Sequence, residues 1–204
     1  MTAFTLATFA PRAGAMFDAL TIAAVLLTPG PTNTLLFLAG AKRGFKASAG
    51  LVGSELLGYC LAIGGWWSFL AVAASLAPGI SGVARALAAL YMAYLAVKMW
   101  REANRREQPP ALSGPAMFLA TLLNPKAFFF AAVVFPAASV GGAALWHAYL
   151  LFTSLAAPIG LAWILLGATV SGSGVSPLRH VLIQRTAALV LLGFSMSIGL
   201  TLML

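Results

Sequence analysis

Residues 19–41 read ALTIAAVLLTPGPTNTLLFLAGA, a stretch without a single charge and with Pro29-Gly30-Pro31 near its middle. An apolar run of about 20 residues is long enough to cross the hydrocarbon of a bilayer as a helix. Pro29 and Pro31 each lack a backbone N–H, and Gly30 adds conformational freedom between them. The helix is therefore expected to break there. Thr32, Asn33 and Thr34 follow at once, with short polar side chains able to bond the backbone groups that the break exposes. The stretch reads as a spanning helix interrupted deep in the membrane.

The rest of the chain agrees. Of 204 residues, 61% are hydrophobic and 8% charged, and the mean hydropathy is +0.97. A soluble domain carries about 45–50% apolar and about 25% charged residues. Twelve basic and four acidic side chains are too few to cover a soluble globule of this size, which excludes an ordinary soluble enzyme and a disordered chain. The single cysteine, Cys60, excludes an internal disulfide and a thiol pair. His147 and His180 are far apart, and there is no nucleotide-binding motif. No catalytic group, no metal site and no cofactor is expected, and the chain is not read as an enzyme.

Outward from helix 1, five further apolar spans fall near 47–73, 83–99, 115–138, 144–170 and 186–204. Ser75-Leu76-Ala77-Pro78-Gly79-Ile80-Ser81-Gly82 carries turn chemistry and divides the second from the third. Gly141-Gly142 separates the fourth from the fifth, and a loop from Ser171 to Arg185 precedes the sixth. The expected fold is an all-α polytopic membrane protein of six transmembrane helices. They form two inverted three-helix repeats, because an odd number of spans per half reverses the second half. Residues 1–17 read as an outer-face segment, 18–100 as the first repeat, 101–114 as a cytoplasmic loop and 115–204 as the second repeat.

Basic residues set the orientation, since cytoplasmic loops collect Lys and Arg. Lys42, Arg43, Lys46, Lys98, Arg101, Arg105, Arg106, Arg179 and Arg185 lie on one side, against Arg12 and Arg85 on the other. Both termini are expected outside. The net charge of +8 is thus explained by topology and not by a nucleic-acid partner. Trp66, Trp67 and Trp146 suit the outer aromatic belt.

Charges at membrane depth are costly and mark function. At about 1.5 Å per residue, Glu55 lies ~12 Å into helix 2, Lys126 ~16 Å into helix 4 and Pro29 ~15 Å into helix 1. All three are near the midplane of a core about 30 Å thick. Helix 4 repeats the design of helix 1 at Asn124-Pro125-Lys126, where Asn124 suits an N-cap and Pro125 the first helical position. A restarted helix presents free N–H groups and a positive dipole end to an anion. Corresponding interruptions in two halves are the best sequence pointer to a transporter's binding site. Gly50, Ser54 and Gly58 form a small-residue stripe that permits close helix approach. Pro158 and Gly160 are placed to bend helix 5. Tyr91 and Tyr94 suit either a cavity or packing.

Pro29-Gly30-Pro31, the basic turn Lys42-Arg43-Gly44-Phe45-Lys46-Ala47, the run from Tyr91 to Arg101, and Leu122-Leu123-Asn124-Pro125-Lys126-Ala127 resemble the lysine exporter (LysE/RhtB-type) family in order and spacing. The resemblance extends from residue 16 onward. It implies a bacterial inner-membrane exporter of amino acids or related metabolites, driven by the proton gradient. The family often has Asn or Asp directly after its Pro-Gly-Pro, whereas here Thr32 precedes Asn33. That leaves Glu55 as the deep carboxylate.

The expected binding residues are Pro29, Gly30, Pro31, Thr32, Asn33, Glu55, Asn124, Pro125 and Lys126, with Glu55 also carrying the proton. Glu55 and Lys126 sum to zero formal charge, which suits a neutral amino acid better than lysine. The expected partners are a small-molecule substrate and membrane lipid, with a homo-oligomer possible. The alternative is an ion or metal transporter, or a passive channel, built on the same broken helices.

Overall fold

The computed structural model describes residues 13–76, 80–102, 112–135 and 142–170, and within 181–200 the positions 181–182, 185–186, 188–189, 192–193, 195–196 and 199–200. The elements are α1 (Ala13–Leu27), α2 (Pro31–Arg43), α3 (Phe45–Ser48), α4 (Leu51–Leu76), α5 (Ile80–Glu102), α6 (Gly114–Leu122), α7 (Pro125–Phe129), a π-helical turn (Phe130–Val134) and α8 (Gly142–Thr169). Every described position between 181 and 200 is also helical, and no strand occurs among the described residues. The protein is an all-helical polytopic membrane protein.

Both predicted breaks are present. The helix ending at Leu27 and the one starting at Pro31 meet at 57°, and the helix ending at Leu122 and the one starting at Pro125 at 44°. Proline at the first helical position opens α2 and α7, where its missing N–H is no loss. Phe45–Ala73 and Leu145–Thr169 are long and apolar enough to cross a membrane. Taking each bent pair as one span raises that to four. The third predicted span is helical as α5, within which Ala89–Lys98 forms a shorter apolar helix among the described residues. The sixth lies largely outside the described residues, as does most of the predicted outer-face segment. The helix of span 1 begins at Ala13, six residues before the uncharged run.

One residue, Gly44, turns the chain between α2 and α3. Its φ of +78° is a conformation that a side chain disfavours. The basic residues Lys42, Arg43 and Lys46 flank it, as the sequence pattern anticipates. Arg185 stacks over Trp100, its guanidinium carbon 5.0 Å from the ring centre. The end of α5 is thereby joined to the last residue of the predicted 5–6 loop.

Lipid tails are as apolar as leucine, so packing here rests on close contact and internal hydrogen bonds more than on hydrophobic burial. The closest approach is between α2 and α8. A Cβ on Gly40 would meet the carbonyl of Ile164, with the carbonyl carbon at 2.9 Å, and a Cβ on Gly167 would meet that of Phe37, with its carbon at 2.8 Å. The stripe on α4 packs α6 at two of its three positions. A Cβ on Gly58 would sit 2.8 Å from the Phe118 carbonyl oxygen, and Ser54 faces Gly114, whereas Gly50 faces open space. α8 passes through Pro158 as one helix, where a bend is expected from the sequence. An aromatic cluster of Tyr59, Phe130 and Phe152 fills the centre in edge-to-face pairs at 5.0–6.2 Å.

Candidate functional site

The two breaks meet. Thr32, Asn33, Glu55, Asn124 and Lys126, from α2, α4, the second break and α7, are all buried, each at most 3% exposed. At the first break, α1 ends at Leu27 and the chain is extended at Gly30, so carbonyls at the end of the half-helix have no helical partner. The Asn33 side chain turns back to satisfy them. Its Nδ2 donates to the Leu26 carbonyl at 2.6 Å and to the Thr28 carbonyl at 2.8 Å. Thr28 in turn donates its hydroxyl to Ala24 at 2.8 Å. The Lys126 ammonium, 98 residues away in sequence, also donates to the Thr28 carbonyl. One backbone oxygen therefore ties the first break to the second.

At the second break the Asn124 side chain caps α7, its Oδ1 accepting from the Lys126 N–H at 3.0 Å. Its Nδ2 donates to the hydroxyls of Tyr59 at 3.0 Å and Thr32 at 3.2 Å. The Thr32 and Tyr59 oxygens are 3.5 Å apart. The break is followed by the π-helical turn, in which the Phe135 N–H reaches the Phe130 carbonyl at 2.9 Å. Such turns are frequent at functional sites.

The two restarted helices are not equivalent. The N-terminus of α7 is capped by its own Asn124, whereas α2 starts after Gly30 and has no side-chain cap. The positive end of α2 thus lies beside a cation. A Cβ on Gly30 would fall 3.2 Å from Lys126 Cε and 3.3 Å from its Nζ. Glu55 completes the group, near the Thr32 hydroxyl and close enough to Lys126 for their charges to interact, although no ion pair or hydrogen bond joins Glu55 to Lys126 among the described residues. On its other side a carboxylate oxygen abuts α8, 2.8 Å from where a Cβ of Gly160 would be. Val52 and Leu36 wall the same spot, at 3.3 and 3.4 Å.

The remaining predicted residues lie at the margin. Pro29 is half-buried and Pro31 is exposed, so Pro31 opens α2 without facing this cluster. Pro125 and Asn124 line a cleft of about 400 Å³ between α4, α5 and the second break, together with Trp66, Leu87, Tyr91 and Phe128. Tyr91 thus faces a cavity. Tyr94 stacks on it at 6.3 Å and is exposed.

Sequence reasoning missed Tyr59, Thr28 and the role of Gly160. Tyr59 is legible in hindsight, being four residues after Glu55 and so on the same helical face. Thr28 acts through its backbone, which no side-chain motif reports. Gly160 touches Glu55 only because α8 packs on α4 and α2.

No curated protein and no solved structure matches the chain. A family model described as LysE type translocator matches residues 23–203, a range that takes in both helix breaks, Glu55 and Lys126. The chain therefore belongs to the LysE type translocator family and is a multi-pass membrane transporter.

Proposed function

We propose that the chain is a secondary exporter of small zwitterionic amino acids or related metabolites, coupled to protons, in the bacterial inner membrane with both termini outside. The observation that carries this reading is the burial of one acid and one base, Glu55 and Lys126, where the two broken helices meet. The uncapped start of α2 and the Lys126 ammonium form the positive side, suited to a carboxylate. Glu55, between Thr32 and Gly160, forms the negative side, suited to an ammonium group or a proton. The net formal charge of the pair is zero, which favours a neutral amino acid over a dibasic one. Thr32, Asn33 and Asn124 hold the two halves of the site in register.

Efflux from proteoliposomes with an imposed proton gradient tests the reading. Neutral amino acids should move and dibasic ones should not; transport of dibasic substrates alone would refute the charge argument. Glu55→Gln should abolish proton-driven efflux with the fold intact, and normal driven efflux by that variant removes Glu55 from the coupling. Lys126→Ala should weaken substrate binding far more than Lys42→Ala or Lys46→Ala. Equal effects would show that Lys126 plays no part in binding.

A further inference from the structure

The two breaks differ in how their carbonyls are answered. At the first, the Asn33 side chain returns from α2 to the Leu26 and Thr28 carbonyls. At the second, α6 ends at Leu122, and a helix end leaves its last carbonyls without an intrahelical donor. Pro125 has no N–H, the Lys126 N–H goes to the Asn124 side chain and the Ala127 N–H to the Asn124 carbonyl. The donors four residues on are thus spent, and the Leu122 and Leu123 carbonyls accept no hydrogen bond among the described residues. They carry the negative end of the α6 dipole. Leu122 and Leu123 both line the cleft of about 400 Å³ beside this break. Aromatic rings from three elements wall the same cleft: Trp66 of α4, Tyr91 of α5 and Phe128 of α7. Trp66 meets Phe128 edge to face at 4.8 Å, joining α4 to α7. Trp66 and Tyr91 remain 42% and 40% exposed, so the cleft is reached from the surface of the bundle.

Aromatic rings attract a cation, and unpaired carbonyls in a medium without water need a donor. A lipid chain would suit the apolar walls but strand both carbonyls. A primary ammonium on an apolar body suits walls and carbonyls together. We propose that the cleft between α4, α5 and the second break is a binding site for such a ligand, an apolar amino acid or an apolar amine. Its ammonium lies toward the Leu122 and Leu123 carbonyls and its body among Trp66, Tyr91 and Phe128. The volume of about 400 Å³ falls in the range of about 300–1,000 Å³ of small-molecule pockets, which are likewise mostly apolar with a few polar groups. Asn124 borders both sites, lining the cleft while its Nδ2 bonds Thr32 and Tyr59. The cleft is therefore next to the Glu55 and Lys126 cluster but contains neither residue. Binding in it is read without transport, so the inference stands or falls separately from the exporter reading.

The test is thermal unfolding of the purified full-length chain in detergent, titrated with phenethylamine, phenylalanine, phenethyl alcohol or methylammonium chloride. A ligand that binds only the folded state raises the melting temperature with concentration. Phenethylamine should raise it. Phenethyl alcohol, the same body without the charge, and methylammonium, the charge without the body, should not. A rise with phenylalanine as well assigns the site to amino acids, and a rise with phenethylamine alone assigns it to amines. The N-trimethylated form of phenethylamine has no N–H for the carbonyls and should bind more weakly. Tyr91→Ala removes one ring and Leu87→Trp fills the cleft; each should weaken phenethylamine binding about tenfold. Leu150→Ala, exposed on α8 and outside the cleft, should bind as the wild type does. No shift with phenethylamine, an equal shift with phenethyl alcohol, or equal binding of the trimethylated form would each overturn the proposal. So would unchanged binding in both Tyr91→Ala and Leu87→Trp, or an equal loss in Leu150→Ala.

Discussion

Gly40→Ala tests how far the site depends on the packing of α2 against α8. The added methyl would meet the Ile164 carbonyl, with the carbonyl carbon only 2.9 Å away. Carbon atoms pack best at about 3.5–4.0 Å, so the two helices must separate by at least about 0.6 Å. The neighbour is backbone and cannot rotate aside as a side chain would. Overpacking of this kind costs about 1–3 kcal/mol. The Gly-to-Ala change itself would stabilise an unstrained helix by about 0.5–1 kcal/mol. Gly53→Ala is the matched control, because nothing lies within 4 Å of its Cβ position. Thermal unfolding should place Gly40→Ala well below the wild type and Gly53→Ala at or above it. Transport should fall with Gly40→Ala as well, since α2 begins at the first break and carries Thr32 and Asn33 in its first turn. A Gly40→Ala protein as stable as Gly53→Ala would refute the close approach of α2 and α8.

Three further outcomes follow from single contacts. Asn33→Ala strands the Leu26 carbonyl and leaves Thr28 with one donor, and should lower stability by about 1–3 kcal/mol in chemical or thermal unfolding. Tyr59→Phe keeps the ring contacts to Phe130 and Phe152 but loses the hydroxyl that accepts from Asn124. It should cost about 1 kcal/mol in unfolding and should slow transport, while Phe152→Leu should affect stability alone. Gly160→Ala pushes a methyl against the Glu55 carboxylate and should reduce driven transport. Adding Glu55→Asp, whose carboxylate is one methylene shorter, should restore part of it, and the absence of any restoration would show that the loss arises elsewhere in α8.

The membrane character of the chain follows from composition, because no arrangement of these residues covers a soluble globule with charge. The helix breaks were equally legible, since proline and glycine act through local covalent geometry that context rarely overrides. Asn124 as a cap and Pro125 as the first helical residue follow from the same local rules, and the structure has both. Glu55 and Lys126 stood out because charge is costly at membrane depth wherever a chain puts it. By contrast, Pro158, where the sequence suggests a bend, lies inside one helix that runs unbroken from Gly142 to Thr169. Pro31 belonged to the right motif but faces outward, since helix phase, not motif membership, decides what a residue touches.

Residue order by itself determined the solvent of this protein, the places where its helices stop and restart, and the residue types left at the midplane, because those depend on transfer energies and on neighbours in the chain. Only tertiary structure decided that Lys126 rests on the Thr28 carbonyl, that Asn124 joins Thr32 to Tyr59, and that the start of α2 is left without a side-chain cap while α7 is capped. Those contacts cross 65 to 98 residues of chain. They are set by how two broken helices pack against α4 and α8, and that packing depends on distances between backbones which no local pattern encodes.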